Sequence, residues 1–507
     1  MRSFICFIAI VVIWISHKVY RWGNPKSKGV LPPGSMGLPF VGETIQFFSP
    51  HRLYDIPPFI SKRVERYGTL FRTSLVGRPV VVSTDPETNY YIFQQEGKYF
   101  QCWYTESFIE ILGQQSVLAY HGVIHKYLKN LILSLVSPEN LREKLLHEMD
   151  GSTRNYLQAW SNHGEVDVKE AAADMIFEYF AKKLFSYDET KACKKLRENY
   201  KAFIDGLISF PLNFPGTAYH ACLQGRKNAT EVIKDAFSER RSSKEIHNDF
   251  MNYLLEEVNK EETFLTEGIA VDLVFVLLFA TYETTSAGIT LLTKFLSDNP
   301  AVLRELTKEH EAILRSREKQ DSTITWREYK SMTFTHMVIN ETVRLANIVP
   351  GIFRRVIKEV ELKGYTVPAG WVVMVCPSTL HLNPDKYGDP LAFNPWRWEW
   401  RREGGTKEAH VHLRCKELFL GQEMHAASKD FMAFGGGVRL CVGADFAKLQ
   451  MAIYLHYLVT KYRWTVIKGG DIIRRPGLVF PNGLHVEISE KQKCSEPNDA
   501  KEKVIKA

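Results

Sequence analysis

Cysteine is scarce and unpatterned in this chain. Its 507 residues include eight, at Cys6, Cys102, Cys193, Cys222, Cys376, Cys415, Cys441 and Cys494. None forms a C-x-x-C pair, which excludes a zinc ribbon and a dithiol redox motif. So few scattered thiols in a long chain suit a reducing compartment rather than a disulfide framework. Dense Lys/Arg blocks interleaved with aromatics are missing too, and the formal net charge is only +7. No nucleic-acid partner is therefore expected; a basic face toward an acidic protein or anionic lipid fits better. No internal repeat is visible. One long uncharged apolar run stands at the N-terminus, FICFIAIVVIWIS from Phe4 to Ser16. Alone it falls short of the roughly 20 residues that a span needs. It continues through Tyr20 and Trp22, placed to sit at an interface, and Lys18 and Arg21, placed to snorkel outward. No small-x-small cleavage site comes after it, which argues against a removed signal peptide. Lys18, Arg21, Lys26 and Lys28 outweigh Arg2 before the run, and that bias puts the body of the chain in the cytosol. Residues 1–22 read as a single-pass membrane anchor.

Residues 23–42 form a Pro/Gly-rich hinge around VLPPGSMGLPFVG, where Pro32 and Pro33 cannot continue a helix. It is either a plain linker or an arm that fixes the tilt of the body on the membrane. Residues 43–489 read as one large helical domain with small β-sheets, a mainly α (α+β) fold, and residues 490–507 as a charged tail. Helical period marks Leu141 to Leu157, Met175 to Phe185, Glu231 to Arg241 and Pro300 to Arg315. Strand character marks Arg78 to Thr84, Val360 to Tyr365, Trp371 to Cys376, Trp464 to Ile467 and Leu484 to Ile488. Within VDLVFVLLFATYETTSAGITLLTKFL, from Val271 to Leu296, the run Leu273 to Ala280 is apolar on all sides, so this is a buried helix. Thr281 to Thr285 interrupt it with polar groups, which excludes a second membrane span. A carboxylate there, Glu283, needs a partner or a wet cavity.

Chemistry concentrates in FGGGVRLCVG, Phe434 to Gly443. Cys441 has four candidate roles: inert core, half of a disulfide, nucleophile, or metal ligand. A thiolate is a soft, electron-donating ligand suited to haem iron. Gly435, Gly436 and Gly437 would permit φ > 0 and close passage by a flat macrocycle. Arg439 would meet a propionate bidentately. Gly443 opens a helix, Ala444 to Tyr462, whose N-terminus favours a thiolate. Upstream, Glu341 and Arg344 share a helix face at i and i+3; alone, such a pair is most often a weak surface contact. Arg397, between tryptophans in FNPWRW, would let two guanidiniums share one carboxylate.

These residues resemble the cytochrome P450 superfamily. Phe434, Gly437, Arg439, Cys441 and Gly443 are similar to its F-x-x-G-x-R-x-C-x-G loop, Glu341 and Arg344 to its E-x-x-R, and Pro395 to Trp398 to its P-x-R-x segment. Ala280 to Thr285 resemble its central-helix A-G-x-[DE]-T-[TS]. The order is the family's, and the likeness runs from the anchor to about Ile488. LISFPLNFPGTAY, INETVRLANIVPGIFR and YTVPAGW look like plant members that oxidise sterols and triterpenoids, including the branch linked to steroid side-chain oxidation. The resemblance implies haem b with Cys441 as the axial thiolate, and electrons from NADPH through NADPH-cytochrome P450 reductase. It also implies an endoplasmic-reticulum membrane location and a sterol or triterpenoid substrate. Glu283 and Thr284 would be the acid–alcohol pair that relays protons. Phe434 would pack by the thiolate, and Arg439 and Arg354 would hold propionates. Where the family has Trp and Arg four apart after Gly122, this chain has His125 and Lys129.

Two departures stand out. The family's central-helix glycine, which allows a widened turn, is Thr281; its hydroxyl can bond back to a carbonyl and still open the helix. Relatives also pass from FNPWRWE almost directly to GQEMHAASKDFMAFGGG, whereas Trp400 to Leu420 intervene here. That segment reads as a retained intron fragment or misplaced exon edge, the alternative being a genuine loop on the face where a reductase docks. The expected substrate lining is Trp103 to Val117, Phe210 to Tyr219, Leu277 to Thr281, Val349 to Phe353 and Gly477 to Pro481, mostly apolar as a rigid lipid requires. Rival readings are a haem-thiolate lyase or isomerase that needs no O2, and a non-catalytic steroid-binding product. Glu283 and Thr284 weigh against the first and the intact loop against the second.

Overall fold

The computed structural model describes residues 2–25, 27–52, 56–188, 195–243, 247–319, 321–399 and 429–491. The segment Trp400 to Leu420 lies outside the described residues, as does the tail from 492 onward.

The axis of the domain is a 32-residue helix, Glu267–Asp298. Thr266 starts it by accepting the Ile269 N–H, which satisfies one of the donors a helix start leaves open. Its run Leu273 to Ala280 is apolar on all sides, and neighbouring helices pack against it. Val168–Phe185, Ala218–Ser242, Thr333–Ala346 and Ala444–Lys461 all contact it. By length and apolarity it would cross a membrane, but two-thirds of that window (67%) is buried in the domain. The expectation of a core helix holds.

A five-stranded sheet runs in the order Leu70–Leu75, Arg78–Ser83, Val372–Val375, Ile352–Val356, Phe100–Cys102. Only the pair of Arg78–Ser83 with Val372–Val375 is parallel. Val80, Val81 and Val82 are fully buried there, as β-branched residues on a two-sided sheet should be. The register sets Arg354 opposite both Cys102 and Val373, which delivers one arginine to the flank of the cysteine loop. A three-stranded sheet joins Tyr462–Gly469, Leu484–Glu490 and Glu165–Asp167. Glu490 thus belongs to a strand rather than to the tail.

Helix Pro300–Arg315 has the limits that the period predicts. The strand expected from Val360 to Tyr365 is instead a hairpin, Val360–Leu362 with Tyr365–Val367. Lys363 and Gly364 both have positive φ, 51° and 80°, the geometry of a type I′ turn, which apolar patterning does not reveal.

Arg2–Gly23 is one helix of 22 residues, about 33 Å long at 1.5 Å per residue. None of its apolar window is buried within the domain. Trp22 is tied to the domain: its indole N–H lies 3.2 Å from the Met36 carbonyl. The segment after it is tied to the domain at several points. Gly34 bridges to Arg72, Arg72 N–H donates to Pro33 O at 2.8 Å, and Met36 is 4% exposed.

The helical core holds a buried proton chain between Pro300–Arg315, Thr333–Ala346 and Ala444–Lys461. The Thr335 hydroxyl donates to Glu309 Oε2 at 2.6 Å. It therefore accepts from His310 Nε2 at 3.0 Å, and His310 Nδ1 accepts from His456 Nδ1 at 3.0 Å. His310 needs its Nδ1 lone pair, and His456 Nε2 is buried with no acceptor for a second proton, so both are neutral. Burial pushes His310 down to about 3, and His456 well below its usual value. In the window between about 3 and the unfolded value near 6.5 the unfolded chain binds protons that the folded chain refuses. Stability is thus fully present above pH 6.5 and falls on acidification, by roughly 1.4 kcal/mol per histidine per pH unit. Thermal unfolding followed from pH 7.5 to 5 should show this slope, and His310→Gln should flatten it; a wild type with a flat profile contradicts the account.

Candidate active site

Glu341 and Arg344 lie in Thr333–Ala346, both side chains at 0% exposure. The i, i+3 spacing lets the guanidinium fork grip the carboxylate twice, Nε to Oε2 at 2.9 Å and Nη2 to Oε1 at 2.8 Å. Arg397 adds Nε to Oε1 at 2.9 Å, the shared carboxylate the sequence predicts. Two further donors were not foreseen: Trp398 Nε1 to Oε2 at 2.9 Å and Asn394 N to Oε1 at 3.0 Å. The buried charge is thereby fully satisfied.

The network reaches the cysteine loop through His381. Arg344 Nη1 donates to the His381 carbonyl. The His381 ring Nε2 accepts the Met432 N–H at 3.0 Å, so its Nδ1 carries the proton and donates to Asn347 Oδ1 at 2.7 Å. Burial, then Arg344 and Arg474, push this histidine down to about 3, which keeps the acceptor neutral. From Met432 the chain turns: Gly435 N donates to Met432 O and Cys441 N to Phe434 O, each at 3.0 Å.

Gly435 and Gly437 have positive φ, 77° and 64°, as expected, whereas Gly436 is extended at −174°. The demand at Gly437 comes from protein: a Cβ there would stand 2.3 Å from the Phe93 carbonyl. Helix Pro86–Gln94 is therefore the wall against which the loop closes.

Cys441 sits deep in the domain, where burial pushes its thiol pKa up, yet its own surface is accessible. It fronts a hollow. The Gly443 N–H and Lys129 both lie near its sulfur and favour the thiolate. Opposite forces of this kind are resolved when a metal cation takes the sulfur. The next helix is Ala444–Lys461. On the central helix, Leu277, Ala280, Thr281 and Thr284 are the residues left partly or fully accessible along one i, i+3, i+4, i+7 stripe. The helix remains an unbroken α-helix across Thr281. Thr281 Oγ1 donates to Leu277 O at 2.8 Å and Thr284 Oγ1 to Ala280 O at 2.7 Å. The back-bond expected for Thr281 is present without a widened turn. Glu283 faces another way, its Oε2 3.0 Å from Lys169 Nζ, which also meets Ser286 Oγ at 3.1 Å.

At the loop's other flank the structure brings together Arg354, Arg439, Lys129, His125 and His121. Lys129 Nζ donates to Val438 O at 2.9 Å. Arg439 Nη2 donates to Tyr120 O at 2.7 Å and to His121 Nδ1 at 2.9 Å. Burial and then Arg439 and Lys129 push His125 down to about 3, so it offers a neutral N–H. His121 is also held down, by burial and Arg439. The sequence reading missed His121, which stands just before the helix start at Gly122, and Glu96. Both are found only through partners remote in the chain. A soft sulfur with an accessible surface and an excess of cations toward one side fit haem b and its two carboxylates.

Arg344→Lys tests the network. One ammonium cannot span both carboxylate oxygens, and breaking a buried pair costs about 3–5 kcal/mol. Expression of the variant should yield little or no folded, haem-containing protein; normal yield and melting temperature contradict the assignment.

The family model for cytochrome P450 matches residues 32–485. A rice protein (Oryza sativa subsp. japonica), cytochrome P450 87A3, is 52% identical over 476 residues, covering 93% of this chain and 88% of its own. Beta-amyrin 16-alpha-hydroxylase CYP87D16 of Maesa lanceolata is 40% identical over 489 residues, covering 96% of this chain and 98% of its own. Cucurbitadienol 11-hydroxylase of Siraitia grosvenorii gives the same identity and coverage. Among solved structures, retinoic acid bound cyanobacterial CYP120A1 aligns with a TM-score of 0.78 at 24% identity, over 92% of this chain and 100% of that one; this likeness establishes the fold. With the thiolate loop, the buried Glu341 network and the central helix in this arrangement, the chain belongs to the cytochrome P450 family, whose cofactor is a haem-thiolate iron.

Proposed function

We propose that this protein is a membrane-anchored haem-thiolate monooxygenase that oxidises a sterol or triterpenoid at the cytosolic face of the endoplasmic reticulum. NADPH-cytochrome P450 reductase supplies the electrons. The observation that carries the reading is the accessible sulfur of Cys441 together with the accessible stripe Leu277–Ala280–Thr281–Thr284 in an otherwise packed core. Haem held there by Cys441 supplies reductive activation of O2 and insertion of one oxygen atom into a C–H bond.

The chain's own residues bind, orient and move protons around it. Arg354, Arg439 and Lys129 hold the haem carboxylates, with His125 donating a neutral N–H. Thr284 has committed its hydroxyl proton to Ala280 O, so toward the hollow its oxygen accepts and orients a proton-bearing group. Glu283, with its side chain 28% exposed and paired to Lys169, takes protons from the solvent side. Phe434 seats the cysteine through its carbonyl.

Apolar side chains dominate the expected lining. Trp103 meets Phe353 edge-on at 6.2 Å, and Ile208 lies against Gly477. Such a wall suits a large rigid lipid fixed by few hydrogen bonds. The names of the relatives, hydroxylases of beta-amyrin, cucurbitadienol and cholesterol, support the same class. Phe210, Leu212 and Phe214 are 56–65% exposed, an apolar rim that opens toward a bilayer reservoir. The net charge of +7 favours docking to an acidic redox partner.

Co-expression with a plant reductase in a sterol-producing host, with and without Trp400 to Leu420, tests the reading under isotopically heavy O2. The expected product is a sterol or supplied triterpenoid carrying one labelled oxygen. Unlabelled rearranged product would instead favour a lyase, and no product of either class from correctly absorbing protein contradicts the substrate class.

A further inference from the structure

One buried carboxylate in the haem flank has no part in the proposed oxidation. Glu96 follows helix Pro86–Gln94 and forms a bridge to Phe100. The reversal is tight: Gly97, at φ 84°, donates its N–H to Phe100 O at 2.7 Å. The Glu96 side chain is 9% exposed. Oε1 accepts the Cys102 N–H at 2.8 Å, which locks the carboxylate to the edge strand. Oε2 then stands 2.7 Å from Arg354 Nε, and Oε1 3.5 Å from Arg439 Nε.

Both arginines reach Glu96 by their Nε edge. Those contacts are ionic rather than well-angled hydrogen bonds, since the Nε atoms and Glu96 Oε2 are buried without an aligned partner. Arg354 spends Nη1 on the Phe353 carbonyl, and Arg439 spends Nη2 on Tyr120 and His121. What remains of each fork, Arg354 Nη2 and Arg439 Nη1, has no protein partner among the described residues. Each guanidinium is thus gripped from behind and on one side, with one arm left for a ligand. The charges agree. Arg354, Arg439 and Lys129 carry one positive charge each, the two histidines are neutral, and Glu96 is the negative member of the group. The residue of that balance equals the charge of two carboxylates.

We propose that Glu96 is a positioning residue for the haem: it aligns Arg354 and Arg439 on the two haem carboxylates and trims the site's charge to match them. The inference rests on haem occupying the Cys441 hollow. It separates Glu96 from a merely structural carboxylate, because its effect should pass through the haem carboxylates and through nothing else on the macrocycle. Two like charges held in a buried site also repel when the acid between them is lost. Removing Glu96 therefore loosens the forks, although it raises the formal positive charge.

The test uses the full-length holoprotein and the variants Glu96→Gln and Glu96→Asp. Haem release is followed as transfer to an excess of a haem-scavenging apoprotein, for haem itself and for its dimethyl ester, whose carboxylates are masked. With haem, Glu96→Gln should release roughly 10- to 100-fold faster than wild type, the usual effect of losing an outer partner of a bound centre. Glu96→Asp, which keeps the charge but not the reach, should fall between. With the dimethyl ester, the three proteins should release at similar rates. Equal or slower release of haem from Glu96→Gln overturns the proposal. So does an equal acceleration for the ester, or loss of helical far-UV signal in both variants, which would assign Glu96 to folding alone. A wild type whose reduced CO complex lacks the red-shifted Soret band marks a failure of the Cys441 assignment, separately from Glu96.

Discussion

Two guanidiniums, an indole and a backbone N–H converge on the buried carboxylate of Glu341. A carboxylate with no exposed surface is tolerated only when donors replace its water completely. The satisfied charge then fixes the placement of everything bonded to it. Arg344 orients His381, His381 holds Met432, and Met432 begins the turn that presents Cys441. Trp398 extends the same constraint by packing edge-on against Phe431 at 5.2 Å. The ligand loop is a rigid attachment whose position is set some way from the sulfur.

Helix Pro86–Gln94 is the second fixed wall, and its C-terminal end serves the site twice. Phe93 offers the carbonyl that only a glycine at 437 can approach. A few residues on, Glu96 holds the two arginines. The cysteine loop and the cation flank are thus registered to one element, so the sulfur and the two arginines keep a common frame. On the far side the central helix contributes little polarity. Its threonines turn their protons inward to Leu277 and Ala280, leaving acceptors toward the hollow. Glu283 is drawn aside by Lys169. The acid and the alcohol are neighbours in sequence but face different surroundings, one touching solvent and the other the hollow.

What the sequence makes legible here is local. Glu341 and Arg344 are one helical turn apart, the cysteine loop is ten residues long, and the apolar run Leu273 to Ala280 reads directly as a buried helix. The long-range partners were not legible. Trp398, His381 and Glu96 act on residues that only the fold brings near, and an isolated Glu or His carries no signal of such a role. The hairpin at Lys363–Gly364 was missed for a different reason: two residues with positive φ reverse a segment whose apolar pattern does not change. At Gly437 the conformation was anticipated while its cause was not, since the close neighbour is the Phe93 backbone rather than a macrocycle. Thr281 shows tertiary packing overriding a family habit. The helix is clasped by neighbours along its length, and the hydroxyl finds its carbonyl without unwinding it.

The central claim is that Cys441 ligates the haem iron as a thiolate. The direct measurement is the absorption spectrum of the purified protein, reduced and exposed to CO. The account predicts a strongly red-shifted Soret band for the wild type and its loss in Cys441→Ser with the helical far-UV signal retained. A wild type without that band, or a serine variant that keeps it, would contradict the account.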